Sequence, residues 1–384
     1  MAFLLIFIIY LSFISLGLPD SLLGSTWPSM YSDLGSTITG AGTLAMLISG
    51  CTIISSLMAD KVIHKFGTAK VTAFSVAMTA IALFGFSTCT SYLMMAAWCI
   101  PYGLGAGAVD SALNNYVALH YSSRHMSWLH CMWGVGASVG PWIMSLCLTN
   151  GLRWPSGYRT ISLLQVILTV ILIISIPMWK TESHAESDEE KRNVLSLRKA
   201  IALPGAKTIL VAFFCYCSLE MATGLWAPSW LVTEKGISAT EAAGLGALFY
   251  LGITIGRAIS GFISNRMGDQ NMIRIGEFII VIGVIILMFS NNLTASKFSL
   301  VLVGLGCAPV YPSIIHSTPD RFGKENSQSL VGIQMAAAYM GSTFAPKIFG
   351  LISDYIGMFM YPFYLCTFVV LMILMTERGS KHIS

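Results

Sequence analysis

Long apolar stretches separated by short polar breaks run through the whole chain. Twelve of them have helix length, over residues 3–31, 39–59, 71–89, 92–119, 127–149, 158–179, 205–231, 240–262, 272–290, 297–317, 328–352 and 357–376. A spanning α-helix needs about 20 residues and a spanning strand only about 9 to 11, so these lengths predict helices. In lipid a helix also satisfies its own backbone hydrogen bonds. The one long polar break, 180–204, contains H-A-E-S-D-E-E-K-R and divides the chain near its middle. The expected architecture is an all-α membrane protein with a six-helix bundle over 1–179, a solvated linker over 180–204 and a second six-helix bundle over 205–384. Within the linker, V-L-S-L-R-K-A suits either a short amphipathic helix along the membrane face or a disordered stretch.

The two halves repeat each other. D-S-L-L-G-S-T-W-P-S-M from Asp20 to Met30 and E-M-A-T-G-L-W-A-P-S-W from Glu220 to Trp230 share an acid, a glycine and a Pro-Ser pair at an offset of 200 residues. Asp60-Lys61 at the end of the second span corresponds to Asn265-Arg266 at the end of the eighth. G-L-G-A-G-A-V-D at Gly103 to Asp110 matches G-L-G-C-A-P-V-Y at Gly304 to Tyr311, and G-A-S-V-G-P at Gly136 to Pro141 faces Ala345-Pro346. Parallel repeats are expected of two bundles related by an axis along the membrane normal, with a substrate pathway between them.

Composition agrees with lipid as the main solvent. Apolar residues make up 55% of the chain and charged residues 10%, against about 45–50% and about 25% in soluble domains. With both termini inside, the cytoplasmic connections collect most of the basic residues, from Lys61, Lys65 and Lys70 to Arg378 and Lys381. The outer ones hold Arg153, Arg159, Lys235 and Lys297. This asymmetry predicts an integral protein of the plasma (inner) membrane with cytoplasmic termini. A net charge of +4 gives no reason to expect a nucleic-acid partner, and the nine cysteines are scattered through apolar segments without metal or redox spacing. No cofactor is expected, and the chain is expected to act as a monomer.

D-K-V-I-H-K-F-G after the second span resembles the loop signature of the major facilitator superfamily. Gly256-Arg257 with G-F-I-S-N-R-M-G resembles its degenerate second copy. Ser56 stands where the signature usually begins with glycine, which still allows close packing. The resemblance covers the entire chain and implies the major facilitator fold, twelve transmembrane helices in two pseudo-symmetric six-helix bundles, working by alternating access. More narrowly, Asp20, Asp110 in G-A-V-D-S-A-L-N-N and the following L-H-C-M-W-G-V-G-A-S-V-G-P are similar to fucose and glucose cation symporters. In fucose-type permeases an acid in the first helix and another in the fourth serve transport and proton coupling. The resemblance implies those roles for Asp20 and Asp110, with the difference that the fourth-helix acid is typically glutamate there.

The residues themselves point the same way. Ionisable side chains inside apolar spans are costly and mark cavities, ligands or proton routes. Asp110 is the first choice for the coupling ion, because Gly103, Gly105, Ala106 and Gly107 admit a neighbouring helix and Asn114 and Asn115 supply amides one turn on. A permanently hydrogen-bonded structural acid is the alternative. Asp20 and Glu220, at comparable depths, are the further proton-coupling candidates; each could instead bind a substrate hydroxyl, gate the outer mouth or pair with Lys347. The pattern leaves proton and sodium both open as coupling ion. A sugar presents hydroxyls and weakly apolar faces, so its site needs polar groups and aromatic plates. Trp27, Trp133, Trp226 and Trp230 with Asn114, Asn115, His130, Gln165 and Gln334 offer both, although any one tryptophan equally suits an interfacial anchor. Asp60, Lys61, Lys65 and Arg257 are expected to gate, through charges that pair across helix ends in one state and separate in the other.

No metal-ligand cluster, nucleotide loop or nucleophile motif supports an enzyme, and no filter repeat supports a channel. The reading is secondary active transport, a proton-coupled symport of a monosaccharide or related polyol. The runner-up is a proton-coupled drug or metabolite efflux antiporter, for which Gly136, Gly140 and Pro141 are the main argument.

Overall fold

In the computed structural model the described residues are 2–121, 123–179, 201–289 and 292–380. The stretch V-L-S-L-R-K-A and the side chains of Asp60 and Asn115 lie outside them. The helices are α1 (Ala2–Asp20), α2 (Leu22–Met30), α3 (Ala41–Phe66), α4 (Thr68–Ser87), α5 (Tyr92–His120), α6 (Ser123–Thr149) and α7 (Trp154–Ser175). After the linker come α8 (Ala206–Lys235), α9 (Ala239–Met267), α10 (Asp269–Phe289), α11 (Leu293–His316), α12 (Thr318–Phe322), α13 (Lys324–Tyr355) and α14 (Tyr361–Ser380). Among the described residues eleven segments are long and apolar enough to cross a membrane. The eleventh predicted span is occupied by α13, 32 residues long, whose Gln334, Ser342, Thr343 and Lys347 lower its apolarity. The first predicted span is split, since α1 ends at Asp20 and α2 begins at Leu22.

The last glycines of the two loop signatures, Gly67 and Gly268, stand at φ +81° and +75° between α3 and α4 and between α9 and α10. Only glycine adopts that left-handed conformation at no steric cost, so each lets one helix end and the next begin within a single residue.

Contacts divide the chain into two units, Met1–Glu182 with Gly224–Leu251, and Ser183–Thr223 with Gly252–Ser384. In the first, α1 and α6 touch backbone to backbone. A Cβ added to Gly136 would lie 2.0 Å from the Ile14 carbonyl oxygen, one on Gly140 2.1 Å from that of Leu18, and one on Gly17 2.1 Å from that of Trp133. The glycines of the patch that favoured an exporter therefore form a helix seam. The run Gly103 to Gly107 serves two neighbours. Gly103 and Gly107 abut Ile48 and Thr52 of α3, and Gly105 abuts Ser75 and Thr79 of α4. Ser55 and Ser56 on α3 donate to the carbonyls of Leu104 (2.5 Å) and Gly107 (3.3 Å), so serine at the signature position keeps the close approach.

Pro19 has no N–H to return to the carbonyl of Ser15, four residues back. Gln165 of α7 supplies it, donating Nε2 to Ser15 O at 2.7 Å and accepting from Ser15 Oγ at 2.6 Å. Gln165, which the sequence offered as a substrate ligand, is buried with both ends of its amide engaged by Ser15. Gln165→Leu is expected to lower stability by about 1 kcal/mol, within the range of intramembrane side-chain hydrogen bonds, read as a lower melting temperature of the solubilised protein. Gln334, also offered as a substrate ligand, is fully buried; its Oε1 accepts from Thr318 Oγ1 at 3.0 Å, joining α12 to α13, while its Nε2 is buried with no hydrogen-bond partner among the described residues.

At the far end of the first unit, Asp33 accepts from Arg153 Nη2 (2.8 Å) and Trp154 Nε1 (2.9 Å), tying the loop after α2 to the start of α7. These donors hold its carboxyl below the ordinary 3.8. A depressed native value stabilises above the unfolded value and is lost as pH falls through the native one. The loop is therefore expected to resist protease nicking equally from neutral pH down to about pH 4 and to loosen only in stronger acid. In the second unit, Gly276 of α10 and Gly306 of α11 each abut the other's carbonyl, and Gly252 and Gly256 of α9 abut Val301 and Leu305 of α11. Arg274 forks onto Glu377 at 2.6 and 2.8 Å, joining α10 to α14.

Candidate functional site

The break between α1 and α2 leaves Asp20 exposed among buried neighbours. Its carboxylate receives the Tyr102 hydroxyl of α5 on Oδ1 at 2.9 Å and the Trp133 indole N–H of α6 on Oδ2 at 2.8 Å. Each oxygen keeps acceptor capacity for a ligand hydroxyl or a proton. Trp133 meets Tyr250 of α9 edge-on, with ring centroids 6.1 Å apart. The Tyr250 hydroxyl covers Gly224, where an added Cβ would come within 2.2 Å of it.

Two turns further along α5 than Tyr102, Asp110 is half-buried and within electrostatic reach of Asp20. Asn114 Nδ2 donates to the Asp110 backbone carbonyl and to its Oδ1, both at 3.0 Å. A carbonyl only accepts, so this end of the amide must be the NH₂. The first unit thus brings Asp20, Trp133, Asp110 and Asn114 together with Tyr102 and Tyr250, which sequence reasoning missed because a tyrosine in an apolar run carries no signal of its own. His130 is half-buried with its ring edge-on to Phe13 at 5.8 Å.

In the second unit Glu220 of α8 faces Arg257 of α9 at 3.9 Å, both side chains largely buried. Arg257 stands ten residues before the end of α9 at Met267, about 15 Å of helix. Arg257, expected to gate, thus faces Glu220 well inside its helix, where the sequence offered Lys347 as a partner for that acid. Tyr216, one turn before Glu220, lies in the field of both charges. The Tyr311 ring packs 5.0 Å from Phe213 and 6.1 Å from Tyr216.

Three of the tryptophans offered as substrate plates are buried in this conformation. Trp27 is fully buried, its indole N–H donates to the Ile38 carbonyl, and its ring packs against Tyr31 and Tyr92. Trp226 and Trp230 are buried, with Lys235 Nζ 5.0 Å over the Trp230 ring. Lys61 and Lys65 are exposed at the end of α3, Lys65 Nζ lying 5.3 Å from the Phe66 ring.

The repeated glycines meet. A Cβ on Gly24 would lie 2.4 Å from the Gly224 oxygen and 2.9 Å from the Leu225 Cα. Gly246 packs on Pro228 and Ser25, and Ser145 Oγ donates to the Thr240 carbonyl at 3.2 Å, so residues 224–251 seal against α2 and α6. Each glycine of the pair is followed four residues on by a proline, Pro28 or Pro228. Neither glycine carbonyl receives its usual helical hydrogen bond. The repeat read in the sequence is thus the two sides of one backbone contact.

The sequence pattern of the Major Facilitator Superfamily matches residues 9–303 and again 208–377. The chain belongs to this superfamily. As one of its members it is a membrane transporter, and the family is one of transporters, not enzymes. It is similar to Bypass of stop codon protein 6 of Saccharomyces cerevisiae, at 21% identity over 93% of this chain and 78% of that one. It is also similar to a glucose/galactose transporter of Brucella abortus, at 26% identity over 54% of this chain and 48% of that one. A solved D-xylose-proton symporter shares the fold, with a TM-score of 0.78 at 15% identity over 97% of both chains.

Proposed function

We propose that this transporter carries a monosaccharide or related polyol into the cell together with a proton, by alternating access of the two halves, 1–179 and 205–384, about one substrate path. The observation that carries the reading is the Asp20 carboxylate, exposed at the break between α1 and α2 and steered by Tyr102 and Trp133, with the acid Asp110 in its field. A carboxylate beside an indole plate suits a ring of hydroxyls and weakly apolar faces. The glucose/galactose transporter among the relatives supports a sugar.

Asn114 suits a proton as the coupled ion, since its Nδ2 bond to Asp110 Oδ1 is one that the acid keeps as it gains and loses a proton. The uneven distribution of lysine and arginine supports an inner-membrane location with cytoplasmic termini.

The reading is tested with a panel of sugars in right-side-out vesicles. One sugar is expected to exchange by counterflow and to make the outer medium more alkaline as it enters. No exchange of any sugar, with pH-driven expulsion of an amphipathic dye from inverted vesicles, would replace symport with the efflux antiporter.

A further inference from the structure

Asp20 and the Gly24–Gly224 seam are joined by two routes. Along the chain Gly24 follows Asp20 by four residues, one turn past the break between α1 and α2. Through space, the Trp133 indole N–H donates to Asp20 Oδ2 at 2.8 Å, the Trp133 ring meets Tyr250 edge-on with centroids 6.1 Å apart, and the Tyr250 hydroxyl covers Gly224. Phe249 braces Tyr250 edge-on at 5.2 Å and also borders Gly224, 3.8 Å from a Cβ built there. The contacts close into a ring that runs Asp20, Trp133, Tyr250, Gly224, Gly24.

Side chains are the parts of that ring free to turn. The Trp133 backbone is pinned against α1, because its carbonyl oxygen lies 2.1 Å from a Cβ built on Gly17, so the indole moves only by changing rotamer. An indole has one N–H and no acceptor, and what it gives Asp20 depends on where the ring points. Tyr250, buried within the segment 224–251, bears on that half-buried ring. When the segment stands off from α2, Tyr250 leaves with it and the indole loses a contact that orients its N–H. The donor set of Asp20 is complete with the seam shut and loosened with it open. Binding linkage is reciprocal, so a ligand that uses the complete set favours the shut seam to the same extent.

We propose that Tyr250 is a positioning residue which, through Trp133, couples ligand binding at Asp20 to closure of the Gly24–Gly224 seam. The assignment rests on the sugar reading above, in which Asp20 meets the substrate, and gives a role to a tyrosine that the sequence did not single out.

The test uses Ser25→Cys, a position buried in the shut seam. Its reaction with a membrane-impermeant maleimide, corrected for labelling of the parent chain, is timed with and without whichever of D-glucose, D-galactose and D-mannose exchanges best, at concentrations that saturate counterflow in each variant. An edge-on aromatic pair is worth about two- to tenfold in an equilibrium, so the sugar is expected to slow labelling by about that factor. In Tyr250→Leu, and in Trp133→Phe, which keeps a ring and removes the N–H, the sugar is expected to leave the rate unchanged. Combining the two is expected to remove nothing more, as for residues acting through one contact. If Tyr250 only packs, Tyr250→Leu raises labelling equally with and without sugar and keeps the protection factor, which would overturn the coupling. Protection that survives Trp133→Phe would do the same, and this variant decides the matter by itself if Tyr250→Leu does not fold. A wild type that exchanges a sugar without protecting Ser25→Cys also overturns the coupling and leaves sugar transport standing. A wild type that exchanges none of the three hexoses overturns it together with the function it rests on.

Discussion

Gly24→Val is expected to reduce transport at least about tenfold, a loss of about 1.4 kcal/mol or more, in a protein that still folds. At Gly24 the first atom of any side chain meets backbone: the Gly224 oxygen at 2.4 Å and the Leu225 Cα at 2.9 Å. Backbone inside a helix cannot step aside, so residues 224–251 would have to stand off from α2. If alternating access requires this seam to close, the variant is held with the seam open. Counterflow measures the loss, and a cysteine at Ser25, buried in the closed seam, is expected to react with a membrane-impermeant maleimide in the variant more than in wild type. Gly224→Ala provides the contrast. Its Cβ meets the tip of Tyr250 at 2.2 Å, and a side-chain tip can turn away. An off-rotamer tyrosine costs about 1 kcal/mol, a reduction of about fivefold. Wild-type exchange by Gly24→Val would show that the contact is not part of the cycle.

Asp110→Asn is expected to separate movement from accumulation. The substituted amide can still present an oxygen to Asn114 Nδ2, now 3.0 Å from Oδ1, so the packing of α5 is kept and the exchangeable proton is removed. One pH unit across the membrane is about 1.4 kcal/mol per proton, enough for about tenfold accumulation. Under an imposed pH gradient the wild type is expected to concentrate its sugar accordingly. The variant should equilibrate the sugar without concentrating it, while counterflow continues. Undiminished accumulation in the variant would move the coupled proton to Asp20.

The fold was legible because lipid imposes a simple rule on every span, and the pattern of apolar stretches follows it. The second loop signature and the repeated acid were equally plain. What the sequence left open was the choice among equivalent polar residues inside the helices. Gln165 and Asp110 look alike as buried polar groups; Pro19 decides between them, because it gives the glutamine a backbone carbonyl to serve. Trp27 and Trp133 look alike as aromatic plates, and the difference is that one indole finds a loop carbonyl and the other a carboxylate. Arg257 reads as a gate residue from its signature, yet its side chain meets Glu220 across a helix pair that no local pattern encodes.

The two prolines behind Gly24 and Gly224 have a consequence for the solvent. Both glycine carbonyls lack a helical donor, so when the seam parts they become acceptors that water can fill, and when it shuts that water must leave. The conformational equilibrium is then linked to water activity. Raising osmotic pressure with an excluded solute such as sucrose is expected to favour the shut seam and slow exchange, an effect absent from a variant in which Pro28 and Pro228 are both replaced by alanine.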